Sequence, residues 1–156
     1  LSSNSGTSAI KDRVSLVGGD WMTLSDRMVD QAARTTEDLE RATTMSSSPP
    51  LSCLPPNGRF DLMLAAETTY TPEAAKNTAV LMARHLKIET GIGLVATKRY
   101  YFGVGGGVDS FRQAADSLKV DAGPGKLGKL VVDNVKVYDN GKGNIREILQ
   151  VKCVLE

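Results

Sequence analysis

FDLMLAAETTYTPEAA, at residues 60–75, is the stretch from which the fold can be predicted. Phe60 to Ala66 form an almost continuous apolar run, which is typical of a strand buried on both faces of a parallel sheet. Thr71 is a suitable N-cap, and Pro72 and Glu73 suit the first turn of a helix. The sequence therefore predicts a buried strand followed by a helix, the repeating unit of an α/β fold.

The rest of the chain continues this alternation of strands and helices. The apolar patterning predicts, in addition, a short strand at 13–17, a weak helix at 24–45, a strand at 93–101, a helix at 109–118 and a closing hairpin with strands at 129–138 and 145–155. Strands that alternate with helices indicate a parallel α/β sheet, to which the hairpin adds antiparallel strands.

The helix that follows Thr71 is expected to end near Gly91. His85, the only histidine of the chain, is predicted to lie on the outer face of this helix as an ordinary polar residue. The inner face is predicted from apolar residues at helical spacing, which are Ala75, Ala79, Met82 and Leu86.

Composition and charge narrow the possible functions. The chain has 156 residues and a formal net charge of +1, which fits one domain and gives no general reason for nucleic-acid or membrane binding. Cys53 and Cys153 show no metal-ligand spacing, so no metal site is expected. We predict that both are free thiols in a reducing compartment.

Two parts of the chain lack a regular pattern. Residues 1–12 are rich in Ser, Asn and Gly and are predicted to be flexible. A Ser/Pro-rich insertion is expected at about 30–58 within a folded region that spans 13–156. Because the chain begins at Leu1 rather than at Met, we expect it to be a fragment or a processed product.

Three segments follow predicted strands and are candidate binding sites, because ligands of open α/β sheets bind outside the carboxyl ends of the strands. They are Gly18 to Trp21, Glu67 to Tyr70 and Lys98 to Gly107. Each also has a purely structural interpretation as a turn, a helix cap or a flexible loop. Their expected convergence at one edge of the sheet favours the functional interpretation.

The run GVGGG at 103–107 does not fit a phosphate loop. A P-loop requires Gly-Lys-Ser/Thr after four intervening residues, and that pattern is absent. The spacing of the glycines also differs from the GxGxxG of a dinucleotide loop. The glycines are therefore expected to allow unusual backbone angles and the close approach of another chain or a ligand.

FDLMLAAETTY, VATKRYYFGVGGGV and the hairpin that contains VYDNG together resemble the C-terminal half of eukaryotic histidine protein methyltransferases. The resemblance covers roughly 14–156, apart from about 30–58 and 121–128. Its specific parts are the Glu-Thr-x-Tyr at Glu67 to Tyr70 and the FGVGGG at 102–107. Related lysine methyltransferases carry an Asp-containing motif in place of Glu-Thr-x-Tyr.

The resemblance implies a Rossmann-like sheet of seven strands in the order 3-2-1-4-5-7-6, which binds S-adenosylmethionine (SAM). This chain would supply family strands three to seven, as a partial domain that ends in the antiparallel hairpin. Family strands one and two, with the SAM glycine loop and the acidic residue for the ribose, have no counterpart in the sequence. We therefore expect that the chain is not a self-sufficient enzyme and that the first half of the domain lies elsewhere or comes from another chain.

By the same resemblance, cofactor-binding residues would come from two segments. Gly19, Asp20 and Trp21 would line the adenine end of SAM, where Asp20 would accept a hydrogen bond from the amino group and Trp21 would stack on the ring. Ala66 would sit near the centre of the cleft.

The catalytic residues implied by the resemblance are Glu67 and Tyr70. Glu67 would orient the target imidazole through its second ring N–H, and Tyr70 would face the substrate. The aromatic residues and glycines of the loop would contact the substrate peptide, and these are Tyr101, Phe102, Gly103, Gly105 and Gly106.

Two other functions are compatible with the same residues. One is a lysine methyltransferase of the same fold. The other is a catalytically inactive methyltransferase-like scaffold in a larger assembly, where nucleic acid would be a partner only within a ribonucleoprotein. For the leading interpretation, histidine methylation, the partner is a protein substrate and the expected location is the cytoplasm or the nucleus.

Overall fold

The computed structural model describes residues 18–33, 55 and 57–156. It divides into two compact units, Leu1–Gly58 and Arg59–Glu156. The predicted flexible segment at 1–12, the predicted strand at 13–17 and most of the predicted insertion lie outside the described residues.

The described part of the first unit is one helix, α1 (Trp21–Ala33). The weak helix predicted from residue 24 is confirmed as far as Ala33, and it begins three residues earlier than predicted. The earlier start follows from Asp20, whose carboxylate accepts hydrogen bonds from the backbone N–H of Thr23 at 2.9 Å and from its hydroxyl at 3.0 Å. A side chain that caps a free N–H in this way favours a helix start at the next residue.

The second unit is a five-stranded sheet with two helices. Its elements in chain order are β1 (Leu62–Ala66), α2 (Pro72–His85), β2 (Ile92–Lys98), α3 (Val108–Asp116), β3 (Val120–Asp121), β4 (Leu127–Tyr138) and β5 (Arg146–Leu155). Among the described residues, no helix is long and apolar enough to cross a membrane.

The strand order across the sheet is β1-β2-β5-β4-β3. β1 and β2 are parallel, with Leu62 opposite Ile92, and the hairpin strand β5 adds to β2 in antiparallel orientation. The order β1-β2-β5-β4 is the order that the resemblance implies for family strands four, five, seven and six. The predicted α/β class is confirmed, and β3 is a short strand that the sequence patterning did not predict.

The core lies between the sheet and the helices α2 and α3. The predicted inner face of α2 is confirmed, because its four residues are 0 to 2% exposed. On α3, Phe111 and Ala115 are completely buried, and Leu118 packs against the core just after the helix. The sheet contributes a row of buried residues at period two on β5, which are Leu149, Val151 and Cys153.

Two predictions about α2 are wrong. The helix ends at His85, not near Gly91, because Leu86 and Ile88 form single β-bridges with Phe60 and Cys153. His85 is 2% exposed and therefore not on an outer face. The last turn of α2 is enclosed where the chain returns to the sheet, and the backbone N–H of Phe60 donates to the carbonyl of His85.

The prediction that β1 is buried on both faces is also wrong. Leu62 is 55% exposed and Leu64 is 72% exposed, whereas Met63 and Ala65 pack against the core. The cause is that the core helices pack against the face of β1 that carries Met63 and Ala65, whereas the face that carries Leu62 and Leu64 is exposed. An uninterrupted apolar run therefore did not distinguish a strand covered on one face from one covered on both.

Candidate active site

The segments that follow β1 and β2 meet at the carboxyl ends of these strands. The backbone N–H of Gly107 donates to the carbonyl oxygen of Thr69 at 2.8 Å. Behind this contact, the hydroxyl oxygens of Thr69 and Thr97 lie 2.6 Å apart, and both threonines are completely or almost completely buried. Two of the three segments singled out in the sequence are thus held together by buried hydrogen bonds.

Glu67 is the first residue after β1 and has an unusual backbone conformation. Its φ angle is +55°, and its N–H donates to the carbonyl of Ala96 at 2.9 Å. A residue other than glycine in this region costs about 1–3 kcal/mol and persists where the surrounding structure enforces it, often at functional sites. The strand pairing with β2 enforces it here and directs the half-exposed side chain outward.

Tyr101 holds one oxygen of the Glu67 carboxylate. Its hydroxyl donates to Glu67 Oε2 at 2.7 Å, and the ammonium group of Lys98 lies 5.3 Å from the centre of its ring. Burial raises the pKa of the Tyr101 phenol, so the group stays protonated and remains a donor at neutral pH. The resemblance places Tyr101 on the substrate side and does not indicate its contact with Glu67.

Arg146 lies beside the other oxygen of the same carboxylate. Its Nε is 3.6 Å from Glu67 Oε1, and Arg146 is the first residue of β5. No sequence motif indicates Arg146. It is brought to the site by the register between β2 and β5, which pairs Arg146 with Lys98 at the carboxyl end of β2.

The glycine loop at 101–107 is ordered by its own hydrogen bonds. The N–H of Tyr101 donates to the carbonyl of Gly106 at 3.1 Å, and the N–H of Gly105 donates back to the carbonyl of Tyr101 at 3.1 Å. The hydroxyl of Ser110 donates to the carbonyl of Gly105 at 2.9 Å. The loop is therefore a compact turn that is anchored to the start of α3.

Two of the loop's glycines are required by packing within the chain. A Cβ atom on Gly106 would lie 2.2 Å from the carbonyl oxygen of Thr69, and one on Gly107 would lie 2.2 Å from that of Arg99. Gly103 and Gly105 have φ angles of +82° and +77° and no comparable neighbour. The structure thus gives Gly106 an internal role, while the contact of the loop with a peptide stays a prediction.

The outer surface of the loop is apolar and aromatic. Phe102 is 88% exposed, the most exposed of the large apolar side chains described. It is accompanied by other side chains that are about half exposed, which are Tyr70, Tyr100 and Val104. The predicted catalytic residue Tyr70 belongs to this surface, and the predicted cofactor residue Ala66 is exposed at the end of β1.

A buried ionic group supports the base of the loop. The Glu147 side chain, 4% exposed, accepts from Arg99 Nε and from the side-chain amide of Asn134. The hydrogen bond between Glu147 and Arg99 raises the pKa of the Arg99 guanidinium, so Arg99 remains charged. The backbone of Arg99 also bonds to Ile145 at 2.9 Å and to Val108 at 3.1 Å, so the end of β2, the hairpin and α3 are joined at this residue.

The third predicted segment lies in the other unit. Asp20 caps α1, and the hydrogen bond from the Thr23 backbone lowers the pKa of its carboxyl group. Trp21 is 45% exposed as the first residue of the helix, and Gly19 precedes it with a φ angle of +145°. The roles of these three residues toward SAM stay predictions.

The part of the chain that the structure describes contains no set of metal ligands. Nowhere in that part do three or more His, Cys, Asp or Glu residues cluster closely enough to hold an ion. The ionisable side chains that the structure brings together at the site are those of Glu67, Tyr101, Lys98 and Arg146.

Comparison with known proteins gives relatives but no family model. No family model matches the chain. A histidine protein methyltransferase 1 homolog from Dictyostelium discoideum is 33% identical over 95 residues, which are 61% of this chain and 28% of that protein. A protein of the same name from Rattus norvegicus is 40% identical over 95 residues, which are 61% of this chain and 24% of that protein.

The matched region thus spans about a quarter of the length of each curated relative. The resemblance to histidine protein methyltransferases that the sequence motifs indicated is confirmed by both relatives, which carry that name. The chain is similar to part of a methyltransferase domain, in agreement with its α/β sheet.

Proposed function

We propose that this chain forms part of a SAM-dependent methyltransferase that methylates a histidine side chain of a protein substrate. The observation that carries the proposal is the carboxylate of Glu67. It is held at the carboxyl end of β1 between Tyr101 and Arg146 and remains about half exposed toward solvent. The similarity to two proteins named as histidine protein methyltransferase homologs supports the same conclusion.

The residues at the end of β1 suit a cationic methyl donor. Ala66 is small and exposed, and Glu67 places a negative charge beside it. When bound, SAM supplies an activated methyl group on a sulfonium. In the proposed enzyme Ala66 would lie near that group, whereas Gly19, Asp20 and Trp21 would contact the adenine end.

The role proposed for Glu67 is to orient the nucleophile. An imidazole with a pKa of about 6.5 is mostly neutral at pH 7, so no strong base is needed before the nitrogen attacks. Glu67 accepts a hydrogen bond from the second ring N–H and turns the free nitrogen toward the methyl group. The bound SAM would supply the methyl group to that nitrogen, and the Glu67 carboxylate would stabilise the proton on the methylated ring until it is lost to water.

The aromatic surface of the glycine loop is the proposed contact for the substrate peptide. Phe102 is almost fully exposed, and Tyr70 lies on the segment against which the loop is packed. Exposed aromatic side chains on an ordered turn bind a partner at low entropic cost. A protein substrate with apolar residues near the target histidine suits this surface.

The proposed partners and location follow from the same reaction. The remaining SAM-binding strands would come from elsewhere in the same protein or from a second chain. The substrate would be a cytoplasmic or nuclear protein, which agrees with a buried free thiol at Cys153.

The decisive experiment is the substitution Glu67→Gln in the full-length protein. We expect methyl transfer to histidine to fall by about 10- to 100-fold, because the amide no longer offers a charged acceptor to the ring N–H. The control is Glu73→Gln, which removes an exposed carboxylate on α2 and should leave the rate unchanged.

The product is identified by mass spectrometry of the methylated peptide. Methyl-lysine instead of methylhistidine would show that the enzyme is a lysine methyltransferase. Full activity of the Glu67→Gln variant would contradict the role of Glu67.

A further inference from the structure

We infer that Arg146 is a positioning residue for the proposed reaction, which acts by fixing the carboxylate of Glu67. The inference rests on the proposed function and adds a residue that neither the sequence motifs nor the glycine loop contains. Arg146 reaches the site from the hairpin strand β5.

The two oxygens of the carboxylate are held from different sides. Tyr101 donates to Oε2 at 2.7 Å, and Arg146 Nε lies 3.6 Å from Oε1. A carboxylate held at only one oxygen can rotate about that contact. The charge of Arg146 near the second oxygen restricts this rotation, and the carboxylate still has lone pairs available for the N–H of a target imidazole.

The surroundings of Arg146 are unfavourable for a positive charge. In the antiparallel pairing of β2 and β5, Arg146 lies directly opposite Lys98. Like charges in this position repel each other. The Lys98 ammonium is turned over the ring of Tyr101, and the charge of Arg146 is compensated by Glu67. The stability of the fold alone therefore gives no reason for a positive charge at position 146.

The ion pair contributes little to folding. The side chain of Arg146 is 57% exposed and that of Glu67 is 49% exposed. Exposed ion pairs of this kind add little to the free energy of unfolding, because ordering two mobile side chains offsets their attraction. The loss of the guanidinium should therefore leave the fold intact, and any effect on catalysis reports on the position of Glu67.

The test is a double-mutant cycle in the full-length methyltransferase. Arg146→Gln should lower kcat about tenfold, because a freely rotating carboxylate orients the imidazole less well, and should leave the KM for SAM unchanged. In the Glu67→Gln background, the same change should have no further effect. Lys152→Gln removes one exposed positive charge from the same strand and is expected to have the wild-type kcat.

Two further measurements separate positioning from a structural role. Arg146→Lys keeps the charge without the planar guanidinium and should recover part of the lost kcat. The NMR shift of the Arg146 Nε–H in the isolated chain should change on Glu67→Gln and stay constant on Glu73→Gln, independently of any activity.

The outcomes distinguish the inference from the function on which it rests. A wild-type protein that forms no methylhistidine would overturn both. An active protein in which the effects of Arg146→Gln and Glu67→Gln multiply, or in which Arg146→Gln has the wild-type kcat, would overturn the role of Arg146 alone.

Discussion

At Gly106, the absence of a side chain allows the glycine loop to pack closely against the segment after β1. A Cβ atom would lie 2.2 Å from the carbonyl oxygen of Thr69 and 2.3 Å from the carbonyl carbon of Tyr70. Backbone atoms cannot shift away from an added Cβ atom as the end of a flexible side chain can. We expect Gly106→Ala to lower the free energy of unfolding by about 1–3 kcal/mol, measured by urea denaturation of the purified chain.

The matched control for this change is Gly103→Ala in the same loop. Gly103 has a φ angle of +82°, but no atom lies within 4 Å of its Cβ position. This variant carries only the conformational cost of the left-handed region, about 1 kcal/mol. Equal destabilisation of both variants would show that steric contact with Thr69 is not what requires a glycine at 106.

Cys153 should react slowly with alkylating reagents in the folded chain. Its side chain is completely buried, and burial raises the pKa of the thiol, so less of the reactive thiolate is present at any given pH. We expect peptide mapping after iodoacetamide treatment at pH 8 to show protection of Cys153 that is lost in urea. Rapid native-state labelling at Cys153 would contradict its placement in the core.

The raised pKa of Cys153 also gives stability a pH dependence. Between the unfolded and folded pKa values, the native state retains a proton that the unfolded chain has lost. The contribution is complete below the unfolded pKa, about 8.5, and decreases as the pH rises through the folded value. Replacement by Ala should remove this decrease, which urea titrations at pH 7.5 and pH 9.5 would detect.

At the scale of single elements, Thr71 fixes the start of α2. Its hydroxyl accepts a hydrogen bond from the backbone N–H of Ala74 at 3.1 Å, with Thr71 itself in an extended conformation. Thr71→Ala should lower the free energy of unfolding by about 1 kcal/mol, because one N–H of the first turn loses its acceptor. The measurement is again urea denaturation.

Thr71→Ser keeps the hydroxyl and should retain most of the stability, which separates the cap from the packing of the methyl group. A Thr71→Ser variant as unstable as Thr71→Ala would assign the effect to packing instead.

The sequence could predict those features of the elements that depend on local chemistry. The cap at Thr71, the inner face of α2 and the hairpin follow from residue types at fixed spacings, and the structure has them. The end of α2 could not be predicted in this way, because the bridge from Leu86 to Phe60 is a tertiary contact. For the same reason, alternation of burial in β1 depends on which sheet neighbours and helices are present.

The candidate site was predicted only in part. The segments at Glu67 and Tyr101 could be identified because strand ends in a parallel sheet share an edge, and the structure joins them. Arg146 could not be identified from motifs, because it reaches Glu67 through the register between β5 and β2, which a sequence pattern alone does not specify. The positive φ of Glu67 is likewise a consequence of assembly.

At the scale of the whole molecule, the hydrophobic core of the described residues lies in the second unit. Every residue of the buried cluster, from Ala75 to Cys153, lies within Arg59–Glu156. The same unit carries the site formed by Glu67, Tyr101 and Arg146. Folding of the sheet and assembly of this part of the site should therefore be one cooperative event, since the strands that bear the site residues also bury the core.

The last prediction is that Arg59–Glu156 folds cooperatively when produced by itself. Far-UV circular dichroism and tyrosine fluorescence should report the same urea midpoint, because all four tyrosines lie within this unit, whose strands and helices share one core. Phe111→Ala, at a completely buried site, should lower the free energy of unfolding by about 3–5 kcal/mol. Phe102→Ala removes the same ring from an 88% exposed site and should change the free energy of unfolding by less than about 0.5 kcal/mol. Transitions that differ between the two probes would contradict cooperative folding of this unit, and equal effects of the two substitutions would contradict the placement of Phe111 in its core.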